Sequence, residues 1–334
     1  MKTLWIGDVH LRLSDLQDSD SLIDQLLDII VQEAPETTIL AGDLFDTFGI
    51  VRSEILAKWT RFFLEASKIT KTVALVGNHD MAGADGGVSS MEPFKAYPNV
   101  TIVDRPTYIP GLAFFYPFIR DTKHFEAQCR ALPDGALLFC HQSFNGAQFE
   151  NGFYDPHGAD VSCVEHLGGA ISGHVHKAQK IANIEYLGTP RQLTFSDSGE
   201  KKAVFTLTLS KDSYTVDKSH VLDLPTFEVI ETDTLEELVA KIAKVTPSTR
   251  THYKFIAKGS PSNIANFWEI PEVQDFKSKA KRVVDALTSM KPATAFVTVK
   301  GQTQDEKLSE YIKQRAWRTD ADQLARRARE CLIN

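Results

Sequence analysis

The chain has 334 residues, 43% of them hydrophobic and 24% charged, with 19 Gly and 14 Pro spread along it. That composition belongs to a folded globular protein long enough for two or three domains, and it excludes a single small module, a disordered chain and a fibrous one. The formal charge of −7 is uneven: from Lys277 onward 13 Lys and Arg stand against 7 Asp and Glu, a net of +6, which leaves −13 for the body, so charge neither supports nor forbids a polyanionic partner.

Short apolar runs alternate with helical periodicity over the first two thirds. Thr3 to Ile6 reads as a buried strand, Ser21 to Val31 as a helix with Leu22, Ile23, Leu26, Leu27, Ile29 and Ile30 inward, and Thr38 to Ala41 as a second strand. Ser53 to Ala66 carries Ile55, Leu56, Trp59, Phe62 and Phe63 at helical spacing, and Thr72 to Val76 is a third strand, completing βαβαβ. Strands are expected at Val100 to Val103, Leu112 to Tyr116, Ala136 to Cys140 and Ala170 to Ser172, with hairpin-like stretches at Ile181 to Leu187 and Ala203 to Leu209. The expected fold class is α/β shading into α+β, with a pair of sheets covered by helices in residues 1–218.

Beyond Ser219 the pattern restarts. Leu224 to Ile230 reads as a strand, Leu235 to Val245 as a helix, and His252 to Lys258 and Ala295 to Val299 as strands, which gives a small α+β domain over 219–301. Two capping-box patterns, Thr303 to Glu306 and Thr319 to Asp322, each open a helix with a thin apolar stripe. Residues 302–334 therefore read as a helical hairpin that needs another surface to bury against. No apolar run reaches the roughly 18 residues of a membrane helix, and the polar turn at Gly7 and Asp8 comes too soon for a signal peptide. Cys129, Cys140, Cys163 and Cys331 show no CxxC spacing. Free thiols in a reducing, cytoplasmic setting with no membrane partner are the expectation.

Five clusters place metal-binding side chains directly after expected strands: Asp8 and His10, Gly42 and Asp43, Gly77 to Asp80 (Gly-Asn-His-Asp), His141, and Gly173 to His176 (Gly-His-Val-His). Each alone is compatible with a capped turn or a surface histidine. Strand C-termini in open α/β sheets converge on one crevice, however, and five such clusters in succession point to one site. Carboxylate, amide oxygen and imidazole without thiolate suit Mn²⁺, Fe²⁺ or Zn²⁺ and disfavour a structural Cys-type zinc site.

In order, D-x-H, GD, GNH, H and GHxH, these motifs resemble the calcineurin-like metallophosphoesterases, whose two-sheet sandwich flanked by helices is thereby expected. Within that superfamily the chain is most similar to the SbcD-type DNA repair and recombination nucleases, including nuclease subunits of phage complexes. Asp8 to Leu11, Gly42 to Asp46 (Gly-Asp-Leu-Phe-Asp), Tyr186 to Pro190 and Phe195 to Glu200 carry that closer likeness. The resemblance implies a two-metal site, with Asp8, His10 and His176 on one ion, Asn78, His141 and His174 on the other, and Asp43 bridging; Mn²⁺ is the expected metal. Two divalent ions about 3.5 to 4 Å apart clamp the attacking and leaving oxygens of a phosphodiester. His79 is the implied acid at the leaving oxygen.

The resemblance further implies 3′ to 5′ exonuclease and single-strand endonuclease activity on DNA ends, an SbcC-type ATPase partner held through residues 303–334, a capping domain at 219–301 and a homodimer. The host cytoplasm is the expected location if the chain is phage-encoded. Asp46 is read either as the carboxylate that orients His79 or as a helix cap. Arg191 is read as a phosphate contact or a solvated surface residue. Asp80 is expected to be a turn residue and His157 a loop histidine. Phe144, Phe149, Phe153 and Tyr154 pack in the core or stack on unpaired bases. The helix with Ile55, Trp59 and Phe63 covers the sheet or forms the dimer face. Competing functions are a metallophosphoesterase for small phosphodiesters or phosphoproteins, disfavoured by Leu-Phe-Asp-Thr after Asp43 where a phosphatase carries Arg, and an inactive scaffold, disfavoured by intact ligands.

Overall fold

The computed structural model describes residues 1–83 and 87–289. Its elements run β1 (Lys2–Ile6), α1 (Leu16–Glu33), β2 (Thr37–Leu40), α2 (Ser53–Ala66), β3 (Lys71–Leu75), β4 (Val100–Val103), β5 (Thr107–Ile109) and β6 (Ala113–Tyr116). There follow α3 (Thr122–Arg130), β7 (Leu137–His141), β8 (Gly169–Gly173), β9 (Gln179–Ile181), β10 (Ile184–Tyr186), β11 (Val204–Leu209) and β12 (Tyr214–His220). A third group comprises β13 (Thr226–Thr234), α4 (Leu235–Ile242), β14 (Thr251–Gly259), α5 (Pro261–Asn266), α6 (Pro271–Lys279) and β15 (Arg282–Ser289).

Two six-stranded sheets, ordered β12-β11-β1-β2-β3-β4 and β5-β6-β7-β8-β10-β9, stack face to face. The strands that carry the motifs are buried on both faces, which is why they read as continuous apolar runs rather than as alternations. In β1, Trp5 enters the core between the sheets while Leu4 and Ile6 face the layer of α1 and α2. In β7, Leu137 and Phe139 enter the shared core, and Leu138 and Cys140 pack beneath α3. The parallel pairs β1–β2–β3–β4 and β6–β7–β8 point their C-terminal ends the same way within each sheet. The mixed α/β architecture with a two-sheet sandwich matches the expected fold class.

The apolar face of α2 is spent on its own sheet. Ile55, Trp59, Phe62 and Phe63 are all buried. Phe62 and Phe63 alone stabilise the packed state by about 1.5 to 3 kcal/mol each, so these residues cover the sheet and are not available as a dimer face. Trp59 also donates its indole N–H to the Leu44 carbonyl at 3.2 Å, tying the helix to the loop after β2.

Several elements escaped the sequence reading. The apolar stripe of α3 is reduced to Phe125 and Cys129, and its start is fixed by Asp121, whose carboxylate accepts from the Lys123 and His124 N–H groups. The strand β12 lies at a sheet edge with five of its seven residues exposed, so apolar alternation could not reveal it. Cys129, Cys140 and Cys163 are free and buried, in line with the thiol expectation. Among the described residues no helix is long and apolar enough to cross a membrane. The expected strand at Ala295 to Val299 and the hairpin over 302–334 lie outside the described residues.

A third sheet, β13-β14-β15, carries α4 and α6 on its own core of Ile230, Leu235, Leu238, Tyr253, Phe255, Phe267, Val273 and Phe276. It is joined to the sandwich by hydrogen bonds from the Phe227 N–H to Gln192 Oε1 at 2.6 Å and from the Val229 N–H to Ser198 Oγ at 3.0 Å. A Lys281–Asp18 ion pair at 2.8 Å adds to them. Because that core is separate, Phe255→Ala is expected to remove about 3 to 5 kcal/mol from the third layer alone. Hydrogen exchange should show lost protection in β13 to β15 and retained protection in β1, β2, β7 and β8.

Candidate metal centre

The five clusters meet at one edge of the sandwich. Asp8 and His10 follow β1, Asp43 follows β2, Asn78 and His79 follow β3, His141 is the last residue of β7, and His174 and His176 follow β8. Three of these residues hold left-handed backbone conformations, His10 at φ 44°, Asp43 at 49° and His174 at 76°. Such non-glycine conformations cost about 1 to 3 kcal/mol each and persist where the surroundings enforce them. The enforcing bonds are specific: the His10 N–H donates to the Asp43 carbonyl at 2.9 Å, the His79 N–H to Asp43 Oδ1 at 2.9 Å, and the His174 N–H to Asp8 Oδ2 at 2.7 Å. Gly77 has to be glycine, since a Cβ there would lie 2.1 Å from Asp43 Oδ1.

The donor atoms form three overlapping groups, Asp8/His10/His176, His10/Asp43/His79 and Asp43/His141/His174, each with its atoms within 4.8 Å of one another. Asn78 joins the last group: its Oδ1 lies 2.8 Å from His174 Nδ1 and 3.2 Å from His141 Nε2. Asp43 Oδ2 sits between the two ends of the cluster, 3.5 Å from His10 Nε2 and 3.4 Å from His141 Nε2. His141 Nδ1 is committed to the Ala41 carbonyl at 2.8 Å and must donate there, so its Nε2 faces two acceptor oxygens. Only a proton or a cation between those atoms reconciles them. His176 repeats the logic, with Nδ1 donating to Glu150 Oε1 at 3.0 Å while Nε2 faces His10 Nε2 at 3.1 Å and Asp8 Oδ2 at 3.8 Å. An all-oxygen-and-imidazole donor set with these unreconciled lone pairs fits divalent cations of the borderline or hard class.

Electrostatics point the same way. Burial pushes the Asp8 carboxyl up. Burial acts likewise on Asp43, but the charge and hydrogen bond of His141 overcome it and hold that carboxyl well below the usual range. Burial would lower His141, yet Asp43 and Asp8 raise it to about 10. Burial and then His141 bring His174 down to about 4, and burial takes His10 well below its ordinary value. Burial would lower His176 as well, yet the hydrogen bond to Glu150 and the charge of Asp8 raise it. The cluster thus favours positive charge on His141 and His176 beside two buried carboxylates, the position a metal ion competes for.

Other residues differ from expectation. The His79 ring nitrogen Nδ1 donates at 2.8 Å to the main-chain carbonyl of Asp46, whose carboxylate instead lies 3.3 Å from Arg12 Nε and 3.7 Å from His10 Nδ1. Asp46 thus holds His79 through the backbone, because the loop after β2 turns its side chain toward Arg12. Phe48, from the same loop, stacks on the His79 ring with centroids 4.2 Å apart, and Phe118 stacks on His174 at 5.5 Å. Arg191 is not a solvated surface residue. It is 7% exposed, donates to the His10 carbonyl at 3.0 Å and pairs with Asp15 at 3.2 Å.

Asp80 is a turn residue in its backbone, but its carboxylate is fully buried and accepts from the Leu44, Phe45 and Gly77 N–H groups. Burial and Asp43 push that carboxyl up to about 8 while the Gly77 and Phe45 N–H groups pull it down. It staples the loop after β2 to the loop after β3, and its place beside the His79 motif was the available signal. His157 is an exposed loop residue, as expected. Phe144 packs in the core and Phe149 is half-buried, whereas Phe153 and Tyr154 are exposed. Glu150, on the same loop, had no motif to reveal it.

Since Arg191 braces the loop that carries His10, Arg191→Met is expected to lower stability by about 2 kcal/mol, a buried pair discounted for the part-exposed Asp15. The KM for a phosphodiester should stay within about twofold, whereas a substrate-binding arginine would raise it tenfold or more. Urea denaturation and steady-state kinetics separate the two.

Comparison with known proteins agrees with this geometry. Residues 1–178 match the model of the calcineurin-like phosphoesterase family. Protein 244L of Invertebrate iridescent virus 6, provisionally named a phosphoesterase, is 24% identical over 288 residues, covering 80% of this chain and 96% of the viral protein. Protein 078R of Invertebrate iridescent virus 3, named in the same way, is 24% identical over 287 residues, with 80% and 79% covered. Exonuclease subunit 1 of Enterobacteria phage T4 is 28% identical over 224 residues, 60% of this chain and 63% of that protein. Both the ordered motifs at the strand ends and the match over more than half its length place this chain in the calcineurin-like phosphoesterase family, whose members are hydrolases that use divalent metal ions.

Proposed function

We propose that this protein is a two-metal phosphodiesterase that cuts DNA, as a 3′ to 5′ exonuclease and single-strand endonuclease acting on ends, with Mn²⁺ as the activating ion. The observation that carries the reading is Asp43 Oδ2 midway between His10 and His141, the seam of two donor groups. Asp8, His10 and His176 would hold one ion, Asn78, His141 and His174 the other, with Asp43 between them. Bound there, two divalent ions stabilise the charge that develops on the phosphoryl oxygens and supply a nucleophilic water.

The protein's own groups do the rest. His79 keeps its Nδ1–H on the Asp46 carbonyl, so that in its protonated form Nε2–H is free to pass a proton to the leaving oxygen as the phosphorus–oxygen bond breaks. Phe48, stacked on that ring, fixes its plane and screens one face from water. The likeness to a phage exonuclease subunit supports DNA as the substrate and a multi-subunit complex as the setting. In that setting residues 219–301 would cap the DNA and residues 302–334, outside the described residues, would dock on an SbcC-type ATPase. A homodimer would have to form through surfaces other than the buried face of α2. The longer matches to viral proteins named only as phosphoesterases are also compatible with a second reading, a metallophosphoesterase acting on small phosphodiesters or phosphoproteins.

Labelled linear DNA and bis-p-nitrophenyl phosphate, each incubated with the chain and Mn²⁺, distinguish the readings. Degradation of DNA that stops on chelation is expected; hydrolysis of the small diester alone, with the ATPase partner also present, supports the second reading. His79→Ala should reduce turnover by about 10²- to 10⁴-fold with metal still bound. Asp46→Asn keeps the main-chain acceptor of His79, and its turnover is expected to stay within about tenfold of the parent; a loss as large as that of His79→Ala would show that the carboxylate itself is needed.

A further inference from the structure

The ring of His176 is held from outside by a residue that belongs to none of the five motifs. Glu150 Oε1 accepts from His176 Nδ1 at 3.0 Å, and the Glu150 side chain is 21% exposed against 17% for His176. On the other side of the ring, Nε2 faces His10 Nε2 and Asp8 Oδ2. The main chain of the same residue is also fixed, since the Lys202 ammonium donates to the His176 carbonyl at 2.8 Å.

The segment that carries Glu150 is a small hairpin. Gln148 bridges to Tyr154, and the Phe149 N–H donates to the Phe153 carbonyl at 2.8 Å. It is fastened to the stretch immediately after His176: Lys177 Nζ donates to Gln148 Oε1 at 2.6 Å, the Gln148 N–H to Gln179 Oε1 at 2.8 Å, and Gln179 Nε2 to the Gln148 carbonyl at 2.7 Å. These bonds set the distance between Glu150 and His176 independently of the contact itself. By comparison, the outer nitrogen of His141 meets a main-chain carbonyl, and Asn78 contributes a neutral amide to that end of the cluster.

We infer that Glu150 is a positioning residue for His176, fixing the imidazole with Nδ1–H outward and Nε2 toward Asp8 and His10, and so making that end of the centre the one whose metal affinity depends on the 148–154 hairpin. A carboxylate on the far nitrogen of a ligating imidazole locks its tautomer and raises its basicity, and removing such a partner weakens metal binding by about 10- to 100-fold. The inference rests on the two-metal reading.

Calorimetric titration of the chelator-stripped chain with MnCl₂ tests it without reference to activity. The parent should take up two ions. In Glu150→Ala one dissociation constant should rise 10- to 100-fold while the other stays within about threefold. Glu150→Gln keeps an oxygen that accepts from Nδ1–H and should recover most of the lost affinity. Thermal unfolding of the stripped variants should match the parent. Equal weakening of both ions, unchanged binding, or a Gln variant as weak as the Ala variant would overturn the assignment while leaving two-metal binding intact. A parent that binds fewer than two ions would remove the two-metal reading and this assignment with it.

Discussion

Asp43 is the constraint around which the rest is arranged. Its carboxylate is 2% exposed and has to satisfy, at once, the His79 N–H on Oδ1 and two imidazoles on Oδ2. A buried carboxylate is tolerated only when it is charge-paired and hydrogen-bonded, so the surrounding loops have little freedom. The left-handed backbone at Asp43, the bare Gly77 against its oxygen and the left-handed Gly42 before it all follow from bringing those partners within reach. Strain of that kind survives because two stacked sheets hold the strand ends from which the loops leave.

Charged side chains brace these loops. Arg191 joins the His10 loop to Asp15, Asp80 joins the Asp43 loop to the His79 loop, and Lys202 ties the His176 carbonyl to Asp197 and Glu200. A donor cluster works only if its atoms stay within a few tenths of an ångström of the coordinating geometry, and charged hydrogen bonds inside the protein are stiff enough to enforce that. Aromatic rings add to the frame at the two ends of the centre, Phe48 over His79 and Phe118 over His174. The rigid centre thus stands beside a hairpin whose Phe153 and Tyr154 are exposed.

By itself the sequence determined the layered fold and the clusters that meet at one edge of it. Strands buried on both faces announce themselves as apolar runs, α2 was legible to the residue, and the clusters holding Asp8, His10, Asp43, Asn78, His79, His141, His174 and His176 could be picked out because strand C-termini share an edge, whereas the division of these residues into ligands and acid came from the family resemblance. Elements without a strong apolar period, such as α3 and β12, stayed invisible because capping and edge pairing, not burial, define them. What only the tertiary structure decided was the use of individual side chains. Whether Asp46 meets His79 by its carboxylate or its carbonyl, whether Arg191 faces solvent or the His10 loop, and whether Glu150 reaches His176 depend on where loops fold back. Periodicity reports which face of an element is buried; it carries no information on the hydrogen bonds formed between loops distant in the chain, and those bonds set the geometry of the centre.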